Sequence, residues 1–240
     1  MKTHAKHPAR AQAAFTRLDL LFVLLALALC AAVVLPALAA SRPRSHRVAC
    51  ANNLRQIGGA LHLWGNDYGD RFPFAVATVD GGTALHPLAV NTWLHFSWLS
   101  NELNSAGILL CPSDTGRPAR DFSADPNGGY LHPNFANAAT SYLLGHGGGR
   151  GGPLDVISAD RNVSYDFSSS CSLFRQSRTV NTSGGAAQSL ARWTDGLHSF
   201  FGNMLRKDGS IVQAGRDEFA RVISAGSFED FATFHYITPR

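Results

Sequence analysis

The hydrophobic pattern divides the chain into three regimes. From Leu20 to Ala40 runs LLFVLLALALCAAVVLPALAA, 21 residues without a charge, about the length that crosses a bilayer core as a helix. Beyond it Leu54, Ile57, Leu61, Trp64 and Tyr68 recur at alternating steps of three and four. That spacing predicts one helical stripe, with Asn52, Asn53, Arg55, Gln56 and His62 off it. Gly65, Gly69 and Pro73 in GNDYGDRFPF predict the end of that helix. The rest breaks into short apolar runs. AGILLCP reads as a buried strand ended by proline. GNMLRKDGSIVQ reads as a hairpin, since Asp208-Gly209 accepts the left-handed backbone that a tight turn needs between Met204-Leu205 and Ile211-Val212. A helix laid on a small antiparallel sheet with long loops, an α+β fold, is the economical way to cover these faces.

Composition fits this picture. Of 240 residues 45% are hydrophobic and 16% charged, enough apolar surface for a folded body rather than a disordered chain. The 23 glycines and 11 prolines point to loops rather than a helical bundle. The formal charge is +4, and much of it flanks the apolar run: Lys2, Lys6 and Arg10 precede it, and SRPRSHR follows. Basic residues on both sides leave orientation undecided. They read as membrane topology, not as the clustered basic face that a nucleic acid requires.

The four cysteines differ in setting. Cys30 sits inside the apolar run as a small hydrophobe. Cys50, Cys111 and Cys171 lie beyond it, so an oxidising compartment can pair two and leave one over. There is no CxxC and no Cys/His spacing of the zinc-site kind, so no metal or other cofactor is expected.

Three fates are open to the apolar segment. Ala37-Leu38-Ala39 offers a signal-peptide cleavage site, although the run is long for one and Arg17 and Asp19 sit at its start. Cys30 in LALC offers a lipoprotein site, but Leu29 stands where a small residue is wanted. The third fate is a prepilin leader. AFTRLDLL, Ala14 to Leu21, resembles the prepilin cleavage and methylation motif, Gly or Ala followed by Phe-Thr-Leu-Ile-Glu. The resemblance implies cleavage between Ala14 and Phe15, an N-methylated Phe15, and a helix-kinking proline at Pro36, about twenty-two residues into the mature chain. Asp19 stands where the family carries glutamate, the carboxylate thought to meet a neighbouring subunit's N-terminus, and Arg17 replaces an apolar residue.

Further segments resemble prepilin-type proteins of the Verrucomicrobia and Planctomycetes kind. They are CANNLRQIGGALHLWGNDYGDRFP, LLCPSD (Leu109 to Asp114), SADRNV (Ser158 to Val163) and LHSFFGNMLRKDGSIV (Leu197 to Val212), in the family's order. The resemblance implies a pilin-like fold: a basic leader over 1–14, a transmembrane helix over 15–40, an exposed amphipathic helix over 41–70 and an extracytoplasmic α+β domain over 71–240. It implies a structural subunit of a type II secretion or type IV pilus-like system. Such a subunit is single-pass in a bacterial inner membrane with its C-terminal domain in the periplasm or outside. Its partners would be other pilin-like subunits, the prepilin peptidase and the lipid bilayer. Cys50 and Cys111 both fall in family-like motifs and form the preferred disulfide pair; two buried thiols are the alternative. A pair would close a loop of about sixty residues. The rival functional reading is a membrane-tethered or exported periplasmic binding domain that does not polymerise.

Other chemistry is thinner. GHGGGRGG, Gly145 to Gly152, lacks the Gly-Lys-Ser/Thr of a phosphate loop and meets Pro153, so a surface loop is expected. The histidines form no H-E-x-x-H, and Ser113 lacks a G-x-S-x-G context; no enzyme is expected. Asp195 and Asp208 have no clustered carboxylates around them to complete a calcium shell, and Asp208 is expected to shape a turn. His198 and Asn203 are expected to brace the hairpin. The sequons at Asn162 and Asn181 carry no expectation.

Overall fold

The computed structural model describes residues 17–89, 91–145, 152, 154–164, 178–181, 192–224 and 233–237. The chain divides into two compact units, residues 1–42 and 43–240. Helix α1, Arg17–Asp67, contributes to both and is helical through Pro36 and Pro43. In the first unit every residue from Arg17 to Pro36 is exposed, and this stretch is long and apolar enough to cross a membrane.

In the second unit α1 turns one stripe inward. Cys50, Leu54, Ile57, Leu61 and Trp64 are buried, while Asn52, Arg55 and Gln56 are exposed. Tyr68 lies just past the helix and stacks on Trp64, with ring centroids 3.7 Å apart and 3° between planes. The chain leaves α1 through Gly69 and Asp70, both at positive φ (67° and 58°), the left-handed exit common at helix ends.

A long connection follows, holding the short helix α2 (Thr92–Ser97) and several 3-10 turns. One of these is Ala106–Leu109, where a buried strand was expected. The apolar run is buried at Ala106 and Leu109, but among the described residues it joins no strand ladder. Ser105 Oγ instead accepts from Gly107 N at 3.2 Å and starts a tight helical turn. Short apolar runs do not distinguish the two outcomes.

The main sheet is six-stranded, ordered β4-β8-β1-β2-β6-β7, and every neighbouring pair is antiparallel. Its strands are β1 (Tyr142–Gly145), β2 (Val156–Asp160), β4 (Arg178–Asn181), β6 (Gly202–Arg206), β7 (Ile211–Ala214) and β8 (Thr233–Ile237). A second, two-stranded sheet pairs β3 (Val163–Ser164) with β5 (Arg192–Trp193). The β6–β7 hairpin turns at Asp208-Gly209: Asp208 Oδ1 accepts from Ser210 N at 2.8 Å, and Gly209 has φ 81°.

Both faces of the central strands β1, β2 and β6 are covered. Tyr142, Leu144, Ile157 and Leu205 join the α1 stripe in one core. Leu143, Val156, Met204 and Ala214 pack on Trp193 and on Phe219 of α3 (Phe219–Ser224) in another. Successive residues point to opposite faces, so β1 and β2 are buried along their length. Gly58 brings α1 close to the sheet: a Cβ there would sit 2.9 Å from Leu205 Cδ1.

Candidate functional site

Polar residues buried inside this double core mark the site. Asp160 ends β2 and Asn203 lies beside it in β6. Both are fully buried, and their strands are paired. Asn203 donates twice to Asp160 Oδ2, from its backbone N at 2.8 Å and from Nδ2 at 2.9 Å. The same Nδ2 lies 3.4 Å from the Arg47 carbonyl of α1, so one amide links the sheet to the helix.

His198, on the bend before β6, completes the cluster. Its Nε2 is 3.4 Å from Asp160 Oδ2 and 3.4 Å from Cys111 Sγ. Its Nδ1 is 3.4 Å from Ser113 Oγ. Cys111 is joined by a disulfide to Cys50 of α1, with Cα atoms 5.1 Å apart. Burial pushes the Asp160 carboxyl up to about 7, against the hydrogen bonds from Asn203. Burial first, then the charges of Arg47 and His46, push the His198 imidazole down to about 4. Both shifts favour neutral forms, so the two share a hydrogen bond rather than a full ion pair.

A second carboxylate lies nearby. Asp114 takes two bonds from Arg161, Nε to Oδ2 at 2.7 Å and Nη2 to Oδ1 at 2.6 Å, the two-pronged geometry that makes guanidinium pairs strong. Ser141 Oγ donates to Asp114 Oδ2 at 2.6 Å and accepts from Cys111 N at 2.9 Å. Burial alone would raise the Asp114 carboxyl, but Arg161, Ser141 and Gly116 N together hold it below the usual range. Asn53 Nδ2 reaches the Leu110 carbonyl at 3.3 Å. Asn162 Nδ2 donates to the carbonyls of Thr194 and Phe201, at 3.0 and 3.1 Å. The first sequon asparagine is therefore a buried brace.

No family model, no curated protein and no solved structure matches the chain.

The residues expected to matter are differently placed. Ala14 and Phe15 lie outside the described residues, as does Cys171. Asp19 is exposed in the first turn of α1. Pro36 is exposed on the same helix, and Cys30 is a free, exposed cysteine. Cys50 and Cys111 are together at the centre of the polar network. The residues from 146 to 151 in the glycine-rich loop lie outside the described residues. Sequence reasoning assigned no role to Asp114, Asp160 or Arg161. The signal available was a lone charge closing an apolar run, VISAD.

Ser113, His198 and Asp160 also form a serine–imidazole–carboxyl sequence, which invites a hydrolytic reading. A general base works best with a pKa near neutral pH, whereas burial lowers the basicity of this imidazole. Its Nε2 is moreover pressed against a disulfide sulfur. The arrangement is suited to cross-linking: the disulfide and the polar contacts around it tie α1, the 109–114 segment, β2 and the bend before β6 together.

Proposed function

We propose that this chain is a pseudopilin-like structural subunit, anchored in a bacterial inner membrane through α1 and carrying its α+β body on the periplasmic or outer side. The observation that carries the reading is the division of labour along one helix. Residues 17–36 are exposed and, past Asp19, uncharged and apolar, and the stripe from Cys50 to Trp64 is the spine of a folded core. An exposed apolar helix segment of this length needs a lipid or helix partner. Prepilin peptidase, the bilayer and other pilin-like subunits are the corresponding partners, and assembly runs through α1. The pilin-like fold, with leader 1–14, membrane helix 15–40, amphipathic helix 41–70 and body 71–240, is part of the same proposal.

The buried, cross-linked site supports a load-bearing body over one that turns over a substrate. A second reading, a tethered periplasmic recognition domain that does not polymerise, is favoured by Arg17 and Asp19. An aspartate reaches one methylene less far than glutamate, and the arginine beside it competes for its charge. The N-terminus of the protein recovered from cells tests the proposal. An N-methylated Phe15 is expected; Ala40 or Ser41 at the terminus would mean a signal peptide, and an intact Met1 a plain anchor. Cysteine cross-linking between α1 residues of neighbouring copies separates the two readings, because only an assembling subunit gives ladders.

A further inference from the structure

Four side chains from four distant segments converge on one buried point. The Sγ atoms of Cys50 and Cys111 and a ring nitrogen of His198 lie within 4.8 Å of one another, all buried. Asp160 Oδ2 is 3.4 Å from the same ring nitrogen, Nε2. Its Oδ1 is buried and has no hydrogen-bond partner among the described residues. Spacing along the chain hid this set, because its members are separated by tens of residues.

The distances have a definite meaning. A tetrahedral ion with bonds of about 2.3 Å to sulfur and about 2.0 Å to nitrogen needs S···S edges near 3.8 Å and S···N edges near 3.5 Å. The Cys111 Sγ to His198 Nε2 edge is already 3.4 Å, and the His198 to Asp160 edge is 3.4 Å. Two sulfurs no longer bonded to each other move apart to about 3.8 Å, and Asp160, which stands beside the three groups that lie within 4.8 Å of one another, has to draw its carboxylate toward the sulfurs to close the shell. We propose that the protein with the Cys50–Cys111 bond reduced binds one zinc-like divalent ion through Cys50, Cys111, His198 and Asp160, so that disulfide and metal are alternative closures of one site.

The outer groups suit such a site. Ser113 Oγ stands 3.4 Å from His198 Nδ1, placed to take the N–H of the tautomer that leaves Nε2 free to bind. Asn203 fixes the carboxylate with two donors. Ligating histidines and carboxylates are regularly held in this way. Two thiolates and a carboxylate leave the loaded site with one negative charge, and Arg47 is close enough to act on His198. The chemistry balances. A dithiol gives two electrons and two protons to the Cys50–Cys111 bond and becomes a disulfide. Metal entry then releases the two thiol protons. Re-oxidation by a disulfide takes the two electrons back and expels the ion. This switch is independent of the anchoring role.

The test uses the full chain in detergent micelles, without tag histidines, in a Cys30→Ser, Cys171→Ser background so that only the site thiols remain. Reduction by a phosphine, which ends as its oxide with oxygen from water and does not hold the metal, is followed by anaerobic titration with cobalt(II). One ion per chain is expected, with sulfur-to-cobalt charge transfer and tetrahedral ligand-field bands that zinc(II) abolishes, and no binding in the oxidised protein. Asp160→Asn should alter the bands, and Ser113→Ala should weaken affinity by about 10–100-fold. Circular dichroism is followed in parallel. A reduced chain that unfolds and is refolded by zinc supports the proposal. A reduced chain that takes no metal, folded or not, overturns it. So do bands unchanged in both His198→Ala and Asp160→Asn, which would leave sulfur alone as the ligand.

Discussion

His198 Nε2 lies 3.4 Å from Cys111 Sγ, which sets the bend before β6 against the disulfide that starts on α1. The contact spans 87 residues of sequence and explains why segments so far apart carry their polar residues where they do. Each supplies one group to a network that an apolar core would otherwise penalise.

The disulfide should dominate the stability of the body. Its cysteines are 61 residues apart, and the chain-entropy model gives about 4 kcal/mol for a loop of that size. The Cys50→Ser, Cys111→Ser double variant should lose roughly that amount in urea unfolding under non-reducing conditions. A loss under about 1 kcal/mol would show that the unfolded chain is already compact there.

Asp114 should give the body an acid limit. Its folded carboxyl is held below the ordinary value, so the unfolded chain takes up the proton first as pH falls. The stability it contributes is complete above about pH 4 and is lost as pH drops through the lowered folded value. Asp114→Asn should cost about 1.5–3 kcal/mol at neutral pH, the range for hydrogen bonds to a charged group. The gap from wild type should close on the acid side of pH 4. Urea midpoints measured across pH for both proteins check this; a gap independent of pH would mean the charge of Asp114 is not what matters.

The adjacent glycines of α1 should behave oppositely. Gly59 is exposed and a Cβ there meets nothing within 4 Å, whereas at Gly58 it would press on buried Leu205. Gly59→Ala should therefore stabilise by up to about 1 kcal/mol through helix propensity alone. Gly58→Ala should fall below it by about 1–3 kcal/mol, the usual range for overpacking. Thermal melts of the two single variants suffice, and equal shifts would count against the close approach of α1 and β6.

The bend that presents His198 is conformationally costly. Ser199 and Phe200 have φ of 51° and 66°, a region that costs a side-chain-bearing residue about 1–2 kcal/mol. Phe200 is tied down by Arg216 stacked 4.4 Å from its ring centre, but Ser199 is exposed. Ser199→Gly should raise stability by as much as about 1 kcal/mol once the greater freedom of glycine in the unfolded chain is subtracted. A lowered melting temperature would show that the serine makes a contact worth more than the strain.

Much of the architecture is written in local pattern. The uncharged run before Ala40, the stripe from Leu54 to Trp64, the stop at Gly69 and the Asp208-Gly209 turn follow from periodicity and from which residues tolerate a left-handed backbone. These depend only on neighbours a few positions away, and so the sequence by itself determines them. The AGILLCP segment shows the limit: burial was legible, but whether a buried run becomes a strand depends on a partner elsewhere in the chain. In the site, the Cys50–Cys111 pair, His198 and Asn203 were legible as candidates, but the carboxylates they meet were settled by folding. Nothing local marks Asp160 as the meeting point of Asn203 and His198, or Asp114 as the seat of Arg161, because the value of a buried charge is set by what folding brings to within about 3 Å of it.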